Sequence, residues 1–292
     1  TSPCYEMEGF PNLPRERAQT FRVWLIQMSA MNARISAVQK DPDSVTRADK
    51  ARALITELTA SSELSFVVAY ELVKLLRDAV GWQETIAFID RLPEALQARA
   101  IFAEQRALAR SKQGDHLEAI GALEQLVALS GESPERRGLL GGRYKKLWRQ
   151  ARETHDAELA GEYLEKAIEN YETGRKLDLN EYYAASNLPI LLRMRGGPGD
   201  SDQAARIGVS VVLACERAIE RKTSDEWVYP TLLVAAFNAG DRKKAEGLAP
   251  LVRRERTKWK LDTTLADLLD SVELKPAGPE RDAFQRLLDS FK

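Results

Sequence analysis

The hexapeptide GDHLEA, beginning at Gly114, returns as GDRKKA at Gly240, each time with a Gly-Asp turn and an alanine five residues after the glycine. Gly81 precedes Gly114 by 33 residues. Between such breakers the apolar residues fall at helical spacing. The expected helices cover 15–39, 44–59, 62–79, 82–92, 95–112, 115–129, 134–153, 156–176, 181–195, 201–221, 224–239, 241–257, 261–274 and 279–291. No convincing run alternates as a strand would. A short amphipathic helix cannot bury its apolar stripe alone. A hairpin of two still exposes a face, and stacking hairpins side by side closes a continuous core. Glycine permits each reversal, and a small alanine lets the two helices cross closely.

Tetratricopeptide repeats have a period of about 34 residues. Ala119 to Ala167 is 48 residues and Ala167 to Ala245 is 78, so the repeats are padded, first near 145–158 and then by the loop Gly196-Gly197-Pro198-Gly199. The expected fold is all-α, a tetratricopeptide-like solenoid of helical hairpins forming a right-handed superhelix. It occupies 15–292 as a single domain behind an extended lead-in over 1–14, which holds Pro3, Pro11 and Pro14. The opening Thr-Ser-Pro, without an initiator methionine, is expected of a fragment or a processed product of something longer.

The stretch ERRGLLGGRYKKLWRQ (135–150) raises the sharpest local question, because glycines sit among basic residues. The phosphate-loop pattern G-x-x-x-x-G-K-[ST] is absent and no strand precedes the glycines. On a wheel of about 100° per residue, Leu140, Tyr144, Leu147 and Ala151 share one face, with Gly141 and Trp148 at its edge. Gly138, Gly142, Lys145 and Arg149 share the opposite face. Leu140-Gly141-x-x-Tyr144 matches the first helix of a tetratricopeptide hairpin. Helix glycine costs up to about 1 kcal/mol relative to alanine, and core packing does not explain it at Gly138 and Gly142. Two readings stay open. Either this face lines a groove where the glycines clear room for a partner, near Tyr183, Asn187 and Arg193, or another helix of the chain packs there.

GLLGGRYKKLW (138–148) and KAIENYETGRKLDLNEYYAASNLPILL (166–192) resemble the tetratricopeptide-like TRAF-binding domain of apoptosis signal-regulating MAP kinase kinase kinases, and more closely its bacterial relatives. EGFPNLPRER (8–17) and AEQRALARSKQGD (103–115) are similar to the same pattern. The resemblance implies a helical regulatory scaffold in signalling or defence, often preceded by an N-terminal effector domain. Two departures stand out, the extra glycine in the LG-R-Y pattern and Pro189 just after Asn187.

Chemistry is sparse. His116 and His155 are the two histidines and Cys4 and Cys215 the two cysteines, with no metal-ligand spacing among them. No nucleophile–histidine–acid motif appears, so the expectation is a non-enzyme without cofactor or metal. Basic and acidic residues balance at 43 against 44, which argues against a nucleic-acid partner. RRERTKWK (253–260) is basic, but it contains Glu255 and reads as a solvated face. No apolar run approaches the roughly 18 residues of a membrane span, and two distant cysteines without a framework fit a reducing cytoplasm. Asn187 either repairs hydrogen bonding beside Pro189 or holds a ligand backbone. The expected function is protein or peptide recognition coupled to an effector domain. The alternative is a sensor for a small anionic, nucleotide-like ligand. In both, the expected surface is Gly138, Gly142, Lys145, Arg149, Tyr183, Asn187 and Arg193.

Overall fold

A computed structural model of the chain describes residues 29–61, 64–255 and 257–291. Every regular element among them is helical. The lead-in over 1–14, Cys4 and the first half of the helix expected over 15–39 lie outside the described residues.

The chain falls into two compact units, one ending at Thr85 and the other running from Ile86 to Lys292. In the first, α1 (29–39), α2 (Ser44–Ser61) and α3 (Phe66–Ala79) bury Ile35, Ala51, Leu54, Leu72, Val73 and Leu75. Ser65 caps α3, its hydroxyl accepting from the Val68 N–H. Such a cap satisfies one of the donors that a helix start leaves open.

α4 (Trp82–Ile89) and the single turn α5 (Glu94–Gln97) lead into the second unit. There five helical hairpins follow one another: α6 (Ala100–Lys112) with α7 (His116–Ser130), α8 (Pro134–Glu153) with α9 (Ala157–Leu177), α10 (Tyr182–Arg195) with α11 (Asp200–Glu220), α12 (Val228–Ala239) with α13 (Arg242–Val252), and α14 (Lys258–Glu273) with α15 (Pro279–Asp289). Each first helix packs on the next first helix, α6 on α8, α8 on α10, α10 on α12 and α12 on α14. The second helices α7, α9 and α11 each pack on the first helix that follows. This pairing is that of a tetratricopeptide-like solenoid.

The recurring turn does what its residues predict. Gly114 and Gly240 take φ of 107° and 72°, values that side chains disfavour. Asp241 caps α13 by accepting from the Lys244 N–H. Ala119 and Ala245, each five residues after its glycine, are completely buried where the two helices of the hairpin meet.

Several expected helices end elsewhere: the one expected over 241–257 stops at Val252, the one expected from 261 starts at Lys258, and the one expected from 62 starts at Phe66. The helix expected over 95–112 is split, because Arg99 is extended (ψ 129°) between α5 and α6. The one expected from 224 starts at Val228, since the Asp225 carboxylate accepts from the Trp227 N–H and holds a turn there. Pro189 stays inside α10 and Pro250 inside α13. The last hairpins share a core of Leu233, Phe237, Leu268, Val272 and Phe284, with Phe237 and Phe284 edge-on at 4.8 Å.

Candidate functional site

α8 carries four of the seven expected residues, Gly138, Gly142, Lys145 and Arg149. Ser133 caps it by accepting from the Arg136 N–H at 3.1 Å, and Pro134 opens its first turn, where a missing donor costs nothing. Tyr144 and Trp148 are buried, as the apolar stripe predicts. The Tyr144 hydroxyl donates to Glu124 at 3.0 Å, and the Arg152 guanidinium lies 4.9 Å over the Trp148 ring.

The space left by the α8 glycines is filled by two tyrosine rings. A Cβ on Gly138 would stand 2.6 Å from Tyr183 Cε1, and one on Gly141 would stand 2.8 Å from Tyr171 Cγ. At Gly142 the nearest atoms are the Tyr171 and Tyr183 hydroxyls, at 3.4 and 3.6 Å. So the helix cost of Gly138 and Gly141 is offset by close aromatic contact inside the chain. The rings belong to α9 and α10, so other helices of the chain pack on the glycines, through side chains.

Lys145 and Arg149 do share a face, and an acidic helix meets them. Lys145 Nζ donates to Asn187 Oδ1 at 2.8 Å and to Asp267 Oδ1 at 2.7 Å. Arg149 donates to Asp267 at 2.6 Å and through Nε and Nη2 to Asp270 Oδ2, at 3.1 and 2.5 Å. Arg152 adds an ion pair with Glu273 at 3.0 Å. Asp267, Asp270 and Glu273 all belong to α14. Burial opposes the Arg149 charge, but the two aspartates outweigh it and raise its pKa. For Lys145 burial wins over Asp267, and its pKa is lowered. Asp267 itself is held below the usual carboxylate range, because Lys145 and Arg149 overcome its burial.

Asn187 is committed at both ends. Its amide nitrogen donates to the Tyr183 carbonyl at 2.9 Å, and its oxygen takes the Lys145 bond. The carbonyl that Pro189 leaves without its helical donor is that of Ala185, one turn before the proline, and the Asn187 side chain does not serve it. Tyr183 joins the cluster through Gly138. Arg193, half-buried on the same helix, makes no hydrogen bond to the other expected residues, and its buried Nη1 has no partner among the described residues.

A second cationic group adjoins the first. Arg143 is only 6% exposed, yet its Nε and Nη1 have no hydrogen-bond partner. Burial lowers its pKa. Lys112, at the end of α6, has its pKa pushed down to about 7 by burial and then by Arg143 and Lys146. Lys112 Nζ donates to the Thr263 hydroxyl at 3.0 Å and lies 4.7 Å over the Trp259 ring, both on α14. His116 shares a 2.7 Å hydrogen bond with Ser111, and its pKa is lowered by burial and by Arg143. His155 is exposed, and Cys215 is a buried free thiol whose pKa burial raises to about 12.

Arg143 and Lys112 are absent from the expected surface. On the wheel Arg143 falls between the core stripe and the glycine face, where an arginine reads as solvated. The aspartates of α14 carried a usable signal. Asp267 and Asp270 sit three apart on one helix face, among Leu265, Leu268 and Val272.

Fold and pairing make this a tetratricopeptide-repeat-like protein. Residues 81–192 match the family model described as Tetratricopeptide Repeats-Sensor, which ends within α10. No curated protein matches the chain. Among solved structures it is similar to a tetratricopeptide repeat protein from Parabacteroides merdae, at 14% identity over 90% of this chain and 98% of that one, with a TM-score of 0.40. The human IFIT1 dimer with PPP-AAAA is similar at 15% identity over 90% of this chain and 68% of that one, with a TM-score of 0.41. Among the described residues no helix is long and apolar enough to cross a membrane.

Proposed function

We propose that this chain is a non-catalytic regulatory module of a cytoplasmic signalling or defence system. It recognises a protein partner on the first-helix face of α8 and α10 and so controls an effector domain. The observation that carries this reading is the engagement of Lys145 and Arg149 by Asp267 and Asp270. That strip has the donors and spacing to grip an acidic helix, and α14 is such a helix supplied in cis. A partner's acidic segment competes with α14 for the same cations. Arginine's planar fork suits paired carboxylates, and the buried lysine adds selectivity against an apolar helix. Gly138, Gly142, Tyr183 and Asn187 shape the floor of this surface, and Arg193 extends it. The sensor description of the matching family supports a recognition role.

The test is affinity capture from the source cells with three forms of the full chain. Replacing both aspartates, Asp267→Asn with Asp270→Asn, loosens α14 on the strip at a cost in stability and, below the variant's Tm, should increase capture of the partner. Arg149→Gln, captured at a temperature where its helical spectrum matches wild type, should weaken it strongly. If no captured protein responds in opposite directions to these two changes, the strip is a structural clasp and the reading fails.

A further inference from the structure

We propose that Arg143, Lys112 and Lys146 form a binding site for a small phosphate-type oxyanion on the first-helix face of α6 and α8, beside α14. The site adjoins the strip just described but uses none of its ion-paired residues, so either proposal can fail without the other.

The charges around Arg143 are out of balance. A buried guanidinium is ordinarily matched by a carboxylate or by carbonyls, because an unpaired buried charge loses its hydration with nothing in return. Arg143 departs from this rule, with Nε and Nη1 buried and unsatisfied. Its neighbours make matters worse rather than better. Beyond burial, Arg143 lowers the pKa of both Lys112 and Lys146, and Lys146 also acts on Lys112. None of the three makes an ion pair among the described residues. The carboxylates closest in electrostatic terms are committed or distant. Asp267 is held by Lys145 and Arg149, and Asp262 pairs with Lys258 at 2.8 Å. Glu135 acts on Arg143 from the first turn of α8, about 12 Å away along the helix axis at 1.5 Å per residue. The same helix shows what a settled arrangement looks like. Lys145, two residues on, and Arg149, six residues on, are both paired with carboxylates of α14.

The ligand class follows from the donors. Arg143 has at least two free N–H groups. Lys112, once protonated, has three donors, and it spends one on the neutral Thr263 hydroxyl. Lys146 is half-buried and extends the group toward solvent. A single carboxylate would satisfy one of these cations. A tetrahedral anion with several charged oxygens can take N–H groups from all three at once. Size is limited by depth, since Arg143 is almost fully enclosed and α14 lies over Lys112. A phosphate on a protein or membrane surface cannot enter, so the anion is small. It is either inorganic or carried on a small organic group. In the second case the carrier would meet Trp259, half-exposed under Lys112 Nζ at 4.7 Å and tilted against Trp227 at 5.6 Å.

Calorimetric titration of the anion-free full chain with inorganic phosphate, pyrophosphate and ADP tests this, with sodium chloride at matched ionic strength as control. The expected result is saturable binding of pyrophosphate or ADP at one site per chain, with a rise in Tm that chloride does not reproduce. Arg143→Met should weaken it by about tenfold or more, the loss of a charge-assisted contact. The same variant should melt no lower than wild type without anion, because it removes an unpaired buried charge. Lys146→Met, at a half-exposed position, should weaken binding several-fold and carries the test if Arg143→Met does not fold. ADP binding tighter than pyrophosphate, with quenching lost in Trp259→Phe, identifies an organic phosphate; equal affinities identify the free anion. The proposal is overturned if no probe binds saturably, if both variants bind like wild type, or if Arg143→Met melts well below wild type before any anion is added.

Discussion

Two groups of cations share α8 and are treated in opposite ways. Lys145 and Arg149 face Asp267 and Asp270, and each is ion-paired. Arg143 and Lys146, on the adjoining side, face Lys112 and no carboxylate within ion-pair distance. Both groups are taken substantially out of water. What separates them is the sign of the chain that arrives opposite, acidic α14 in one case and a basic end of α6 in the other. The contrast teaches that burial alone does not tell a cation matched within the chain from one left unmatched. The balance of partners does.

The contrast breaks most visibly at its neutralised half. Asp267→Asn should destabilise the fold by about 3–5 kcal/mol, because it leaves Lys145 buried without its carboxylate. Chemical unfolding measures this, and the paired change Lys145→Met with Asp267→Leu should recover most of the loss. A small effect of the single change would place α14 loosely on α8.

The glycines sharpen the same comparison at the next scale. Gly141→Ala drives a methyl to 2.8 Å from the buried Tyr171 ring and should cost about 1–3 kcal/mol in urea unfolding. Gly142→Ala meets only ordinary contacts at 3.4 and 3.6 Å, so the gain in helix propensity should leave it neutral or slightly stabilising. Equal losses at the two positions would mean that the rings do not sit where the contacts put them.

The unmatched half predicts a pH dependence. Folding lowers the Lys112 pKa to about 7, against about 10.4 in an unfolded chain. Across that window the unfolded state holds the extra proton, so stability rises with pH, at most by about 1.4 kcal/mol per unit. Arg143 and Lys146 drive the shift alongside burial, and Asp262 and Asp267 oppose it. Melts of wild type and Lys112→Met between pH 7 and 9 isolate this share from those of Lys145 and Lys146, which move in the same direction. Parallel curves would remove Lys112 from the cluster. The smallest effect belongs to Arg143→Met, whose anion-free stability should stay within about 0.5 kcal/mol of wild type or above it, since no hydrogen bond of its Nε or Nη1 is lost.

The helices, their hairpin order and the buried faces of Tyr144, Trp148, Ala119 and Ala245 were legible in the residues. They depend on local rules: apolar spacing, glycine reversals and proline starts, all within one or two turns of chain. The helical wheel of 138–149 likewise placed Lys145 and Arg149 together correctly. It could not say what stands opposite. Asp267 lies 122 residues from Lys145 in sequence, and only the stacking of four successive hairpins carries α14 onto α8. The same holds for the rings of Tyr171 and Tyr183 against the glycines, and for Arg143 Nε and Nη1, which meet no acceptor among the described residues. Sequence alone determined which side chains share a helix face, because that follows from 3.6 residues per turn. Tertiary structure decided which charges are matched, because partners on different helices are brought together by the packing of every repeat between them.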